Sequence, residues 1–360
     1  MASFEQEDDR ALEFFQFEVP GQNEAGETHS VAIGDLYGPS PPLIVLHDGP
    51  GTGFEYLHPL IGIWKNYKIP LVFYDQIGCG QSTHYPEKMG DESFWTLELY
   101  IKQLENLIDK FGLAKTRFHL LGHGWGGMLA GEFASRRPRG LQKLIIASGP
   151  ASMPLYVEGL KTLSASLPGN DENKLADYLR FDDDHEPEVL DLLRDFTSRH
   201  NYRERGAGIN RLLSSASTNV QAAPEAYLAI MGPLQFDCIG SFRDWEARDA
   251  HRIMARTLLV NGKHDFVTST CMEPWLEKIP NVEWTTFEES SHQYQWEEAE
   301  AFIDVIAEFL ETENDAPVET EDDAPVETED DAPVETEGDS PVHVADSVET
   351  EEKEDGYEAV

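Results

Sequence analysis

The sequence predicts an α/β protein with a mostly parallel central sheet and a helical cap insertion. Three observations carry that prediction. Short β-branched runs alternate with longer stretches of helical periodicity between about residues 43 and 310, the rhythm of parallel strands joined by covering helices. Over about 151–253 this rhythm breaks, leaving helical patterns and Pro and Gly interruptions but no clear strand. A chain of 360 residues, 40% of them hydrophobic, is long enough for one sizeable core with an inserted subdomain.

Taken in order, the first expected strand is Leu43–Leu46, an aliphatic run that leads into a glycine-rich loop, and Leu71–Tyr74 is the second. Phe94–Phe111 supplies a long covering helix and Phe118–Leu121 returns to strand. A tight glycine turn then opens a helix over Gly127–Ser135, followed by a strand at Leu144–Ala147. Within the insertion, Pro187–Ser198 reads as helix. Strands at Thr257–Val260 and Val282–Phe287 resume the alternation. The helix over Trp296–Leu310 closes it, with Phe302, Ile303, Val305, Ile306, Phe309 and Leu310 forming one buried stripe. Residues 1–150 and 254–312 are thus the expected core, and residues 151–253 the expected helical cap, an element that covers a pocket and selects its substrate.

After Leu310 the composition changes. Asp315–Asp322, Asp323–Asp330 and Asp331–Gly338 are three near-copies of DAPVETED, rich in Pro and acid and too poor in apolar residues to bury anything. Stacking repeats run to about 20–50 residues, so this octad is no solenoid unit, and 313–360 is expected to be a disordered tail. Residues 315–360 carry nineteen Asp and Glu against the single Lys353, which is −18 of the formal net charge of −41. The field excludes nucleic acid and anionic membrane surfaces as expected partners and leaves a basic partner for the tail. Met1–Arg10 has no basic n-region before an apolar run, and no stretch of about 18 apolar residues occurs, so neither secretion nor membrane spanning is expected. Cys79, Cys238 and Cys271 are odd in number and lack metal-ligand spacing, which fits a reduced, cytoplasmic setting.

The chemistry concentrates in short segments. Leu120–Gly127 reads as strand, tight turn and helix start, the setting of a G-x-S-x-G nucleophile elbow, yet Gly124 stands where the serine belongs. His47–Gly51 (HDGPG), Asp75–Ser82 (DQIGCGQS), Gly122–Gly127 (GHGWGG), and the pair Asn261–Asp265 (NGKHD) with Ser290–His292 (SSH) follow in order. Together they resemble the prolyl aminopeptidase and L-amino acid amidase branch of the α/β-hydrolases, the S33 peptidase type, over about residues 28–311. The resemblance implies an α/β-hydrolase fold and assigns His292 as proton carrier and Asp265 as the acid that fixes its tautomer. It also implies an oxyanion hole from the amides of Asp48 or Gly49 with that of Trp125. The Asp75–Ser82 turn is expected to be structural, with Asp75 accepting loop amides, and Cys79 within it is not expected to be a nucleophile.

Departures from that family's pattern cluster around the same site. Glycine at 124 relieves elbow strain of about 1–3 kcal/mol but removes the hydroxyl and the acyl-enzyme route. Asp48 replaces a small residue, and its carboxylate would disfavour a developing negative charge if it faced inward. The family holds its substrate's amine with carboxylates in a GPxEF-like segment and directly after the catalytic Asp; here those positions are Gln235 and Phe266. A buried ammonium without a charged partner is poorly held, which argues against cleavage of N-terminal proline. Nothing in the sequence indicates a metal, nucleotide or flavin, so no cofactor is expected. Three readings follow: a small-molecule enzyme using His292 and Asp265 by a non-serine acid/base route, a silent protein that binds a ligand or partner under its cap, and an inactivated Ser-to-Gly aminopeptidase or amidase.

Overall fold

Residues 10–170, 187–203, 224–232, 238 and 240–312 are described by the structure, a computed structural model. Gln235 and the acidic repeats lie outside these residues. Eight strands form one sheet: β1 (Arg10–Phe17), β2 (Gly26–Ile33), β3 (Leu43–Leu46), β4 (Leu71–Tyr74), β5 (Phe118–His123), β6 (Leu141–Ala147), β7 (Arg256–Gly262) and β8 (Val282–Phe287). Their spatial order is β1-β2-β4-β3-β5-β6-β7-β8. The pairs β1/β2 and β2/β4 are antiparallel, and from β4 to β8 every neighbour is parallel. The fold is that of an α/β-hydrolase, as expected.

The strands Leu43–Leu46, Leu71–Tyr74 and Val282–Phe287 have the expected bounds, whereas three others run longer than their aliphatic centres. The N-terminal pair β1 and β2 is an addition to the expected strands. Sequence pattern misses it for a physical reason: β1 lies at the sheet edge with Leu12 and Phe14 half exposed, and β2 buries polar Thr28, His29 and Ser30. Those polar groups are satisfied by distant partners. Gln103 Nε2 donates to Thr28 Oγ1 at 3.0 Å, and His29 Nδ1 lies 2.7 Å from Asp75 Oδ2.

Helices cover both faces. Alternate residues of β3 and β4 feed the two cores: Ile44, Leu46, Val72 and Tyr74 belong to one, Leu43, Val45, Leu71 and Phe73 to the other. The first core includes α2 (Leu97–Lys110), α3 (Trp125–Ser135), α4 (Met153–Ala165) and α7 (Ser269–Lys278); the second is closed by α1 (Ile61–Tyr67) and α9 (Ala299–Glu311). Thr96 starts α2 three residues later than expected, its hydroxyl accepting from the Leu99 amide at 3.3 Å. The expected helix over Trp296–Leu310 is divided into α8 (Tyr294–Glu297) and α9, and its stripe is buried as expected except for a half-buried Val305. No helix was expected over α7, where Pro274 sits inside the helix.

Between β6 and β7 the described residues carry α4, α5 (Pro187–His200) and α6 (Pro224–Ile230) and no named strand. Among the described residues no helix is long and apolar enough to cross a membrane.

The end of α9 is held from below. Lys143, 1% exposed on β6, donates to the carbonyls of Phe309 at 2.8 Å and Leu310 at 3.2 Å, so its ammonium meets the negative end of the helix. Lys143→Met is expected to lower stability by about 2 kcal/mol in a denaturant titration, because those carbonyls lose a charged donor; an unchanged midpoint would refute this account.

Candidate active site

The parallel strands point their carboxyl ends at one place, and the loops leaving β3, β5, β6, β7 and β8 deliver Asp48, Gly124, Ser148, Asp265 and His292 there. Gly124 caps the start of α3 with φ 55° and ψ −120°, backbone angles that a side chain makes costly. The turn is packed so closely that a Cβ on Gly126 would lie 2.4 Å from the Leu46 carbonyl oxygen. The elbow geometry that the sequence implied is therefore present, with a residue that has no side chain.

What fills the space is Asp48. A Cβ built on Gly124 would lie 2.1 Å from Asp48 Oδ1, 2.3 Å from its Cγ and 2.8 Å from Oδ2. The pairing of β3 with β5 explains how it arrives: Leu46 stands opposite Gly122 in the parallel register, so positions two residues further along come side by side. Oδ1 of Asp48 accepts the Trp125 amide at 2.7 Å, and Oδ2 lies 3.3 Å from His292 Nε2. The backbone carrying this carboxylate is pinned. Its amide donates to Tyr56 Oη at 2.8 Å, and its carbonyl accepts from Thr52 Oγ1 at 2.5 Å and His47 Nδ1 at 2.6 Å.

Two of the amides expected to form the oxyanion hole of Asp48, Gly49 and Trp125 already have partners within the chain. The Trp125 amide is already capped by a carboxylate of the same chain, and the Asp48 amide is turned to Tyr56. An anion generated on a substrate would have to displace Asp48 first.

His292 follows β8 with its Nδ1 2.9 Å from Asp265 Oδ1, the pairing that the sequence reading gave these residues. Asp265 also accepts the Val267 amide at 2.7 Å and the Ser148 hydroxyl at 2.5 Å, so its two oxygens are fixed from three sides. Ser148 was missed from sequence; its only signal is its place directly after a buried strand. Burial alone would push the His292 pKa down, but the charges of Asp265 and then Asp48 outweigh it and hold the ring at about 10. Burial would raise the Asp48 carboxyl, but its hydrogen bond to His292 and the charge there bring it to about 2. At neutral pH these shifts favour an ionised Asp48 beside a protonated His292. The two flanking carboxylates thus favour the acid form of His292.

Neighbouring groups have supporting parts. Buried His123, last residue of β5, places Nδ1 2.9 Å from Tyr56 Oη and Nε2 3.1 Å from the His292 carbonyl, and burial lowers its pKa to about 4. Phe266, half-buried, lays its ring 4.1 Å from that of His292, with Tyr156 beyond it at 6.3 Å, giving the site an apolar wall. The carbonyl of His200, at the end of α5, accepts the amides of both Phe266 and His292. Asp75 accepts the Phe54 and Gln81 amides, as expected of a structural turn. Burial first of all raises the Cys79 thiol to about 12, which disfavours the nucleophilic thiolate. Asp48, His123 and His292 each offer a donor atom within 4.8 Å of the others, but their nitrogens all face polar groups of the chain.

The alpha/beta hydrolase fold family matches residues 41–299 of this chain. A proline iminopeptidase of Saccharolobus solfataricus is 33% identical over 272 residues, covering 75% of this chain and 84% of the relative. The chain belongs to the proline iminopeptidase branch of the α/β-hydrolases. A second such relative, from Thermoplasma volcanium, is 31% identical over 75% of this chain and 88% of its own length. Among solved structures, VinJ is 34% identical with a TM-score of 0.75, covering 84% of this α/β-hydrolase and 98% of VinJ. The proline iminopeptidase of Mycobacterium smegmatis is 30% identical with a TM-score of 0.72, over 83% and 97% of the two chains.

Proposed function

We propose that this α/β-hydrolase acts on a small molecule by a serine-independent acid/base route, with His292 as the proton carrier and Asp265 as its orienting partner. The observation that supports it is the His292 ring held between two carboxylates, 2.9 Å from Asp265 and 3.3 Å from Asp48. An imidazolium so placed donates a proton to a leaving or developing oxygen, work that contributes about 10²–10⁴-fold in rate. The substrate differs from that of the resembled aminopeptidases. Phe266 follows the acid where they carry an amine-binding carboxylate, and among the described residues the carboxylates at the site, Asp48 and Asp265, are both paired with His292.

The pH profile tests this reading, and its sign is fixed. The ring's pKa is raised from 6.5 to about 10, so the acid form persists through neutrality and is lost as pH climbs toward 10. On a panel of amino-acid amides, activated esters and cyclic ethers, kcat/KM is expected to be level from about pH 6 to 8 and to fall above about pH 9. A rate that rises through pH 6.5 would show a neutral imidazole base and overturn the reading.

A second reading, a silent binding protein, is supported by the Trp125 amide being filled from within. It requires that no compound on the panel turn over in a His292-dependent way. The third, an aminopeptidase inactivated by one Ser-to-Gly change, accounts less well for Asp48 in the serine's space.

A further inference from the structure

We propose that Asp48 is the nucleophile of this site, a carboxylate supplied from β3 in place of a side chain at the elbow, and that its substrates are strained cyclic ethers. The inference rests on the acid role given to His292 above. Its geometric basis is the coincidence of the Asp48 carboxylate with the space of a residue-124 side chain, together with the division of labour between its two oxygens. Oδ1 is committed to the Trp125 amide at 2.7 Å, whereas Oδ2 has only a 3.3 Å contact with His292 Nε2, and the side chain is 30% exposed. One oxygen is positioned and the other is available.

The chemistry selects the substrate. A carboxylate attacking an amide carbonyl would give an anhydride and expel an amine, an uphill exchange, whereas attack on a saturated carbon bearing a leaving group gives a stable ester. The resting imidazolium narrows the choice further. A leaving group that departs as a stable anion would leave His292 protonated and unable to activate water. A three-membered cyclic ether opens to an alkoxide that takes the proton.

In the first half-reaction Oδ2 bonds to a ring carbon, the ring C–O bond breaks with its electrons on oxygen, and the His292 proton passes to that oxygen. The neutral ring then takes a proton from water as the water oxygen bonds to Cγ of Asp48. The negative charge on Oδ1 is held by the Trp125 amide, which in this half-reaction is an oxyanion donor. Collapse breaks the Cγ–Oδ2 bond, and the departing alkoxide takes the proton from His292. The new Asp48 carboxyl then returns its own proton to the ring. The sum is cyclic ether plus water to a diol, with Oδ2 carried away in the product.

That last feature gives the test. Full-length protein in excess over styrene oxide or cyclohexene oxide is allowed one turnover in ¹⁸O-water, and the peptide bearing Asp48 is weighed. A heavy oxygen in that peptide and none in the first-turnover diol is the expected result, with Asp48→Asn slowing diol formation by about 10³-fold or more. Heavy oxygen in the diol alone would overturn the nucleophile while leaving the acid role of His292 intact. His292-dependent turnover of an activated ester with no diol from either ether would do the same. Absence of turnover on every substrate would overturn both.

Discussion

Gly124→Ser alone is expected to remain unreactive toward a fluorophosphonate, whereas Asp48→Gly combined with Gly124→Ser is expected to label. The reason is steric and electrostatic together. Any side chain at 124 begins 2.1 Å from Asp48 Oδ1, so the serine and the carboxylate cannot both hold their places. In the single variant either the carboxylate is expelled from the Trp125 amide, at about 1–3 kcal/mol, or the serine is. The positive φ adds strain of about 1–3 kcal/mol, so the single variant should lose roughly 3 kcal/mol in a denaturant titration. Removing Asp48 at the same time frees the amide, vacates the space and leaves His292 with Asp265 alone, the arrangement in which a serine hydroxyl is activated. Labelling of the single variant at the rate of the double would show that Asp48 moves aside freely, and the coupling drawn between the two positions would be wrong.

His292→Gln should be the more damaging single change. It removes a charge that two carboxylates surround, and breaking such a buried arrangement from one side costs about 3–5 kcal/mol. Turnover should fall by about 10²–10⁴-fold. The stability change carries a pH signature that a cavity or packing defect lacks. With the pKa of His292 raised from 6.5 to about 10, its contribution is full below about 6.5 and drains away as pH rises to about 10. The Asp48 side of the pair, lowered from 3.8 to about 2, is full above about 4 and lost as pH falls toward 2. Wild type and variant should therefore differ most near pH 4 to 6.5 and converge in strong alkali. A difference that stays constant to pH 10 would mean that the ring is not charged.

Much of the fold was legible because it depends on local pattern. Four-residue apolar runs such as Leu43–Leu46 are strands wherever they are buried on both faces, and the helix stripe of Phe302 to Leu310 follows from period alone. The β1–β2 hairpin was not legible, since the partners that make His29 and Thr28 tolerable in a buried strand lie on β4's loop and on α2. The site divides in the same way. The pairing of His292 with Asp265 was readable because each follows a recognisable strand, and the turn at Gly124 was readable because its neighbours are distinctive. That Asp48 would fill the gap was not, for it depends on a side-chain direction and on pairing between segments 76 residues apart. The same applies to the charge of His292: sequence shows one acid beside it, and the second arrives only with the fold.

The register between β3 and β5 has a broader consequence. Because Leu46 lies beside Gly122, the residues beyond both strands form a row across the sheet, and one point above that row is reachable from either strand. A reactive group is thus addressed by its row and not by its strand. A chain that gives up a side chain on one strand keeps a functional group at that point if the adjacent strand supplies another, with no insertion, no new turn and no change of fold. Conversely, a comparison made column by column along the chain treats positions 48 and 124 as unrelated, where the fold sets them side by side.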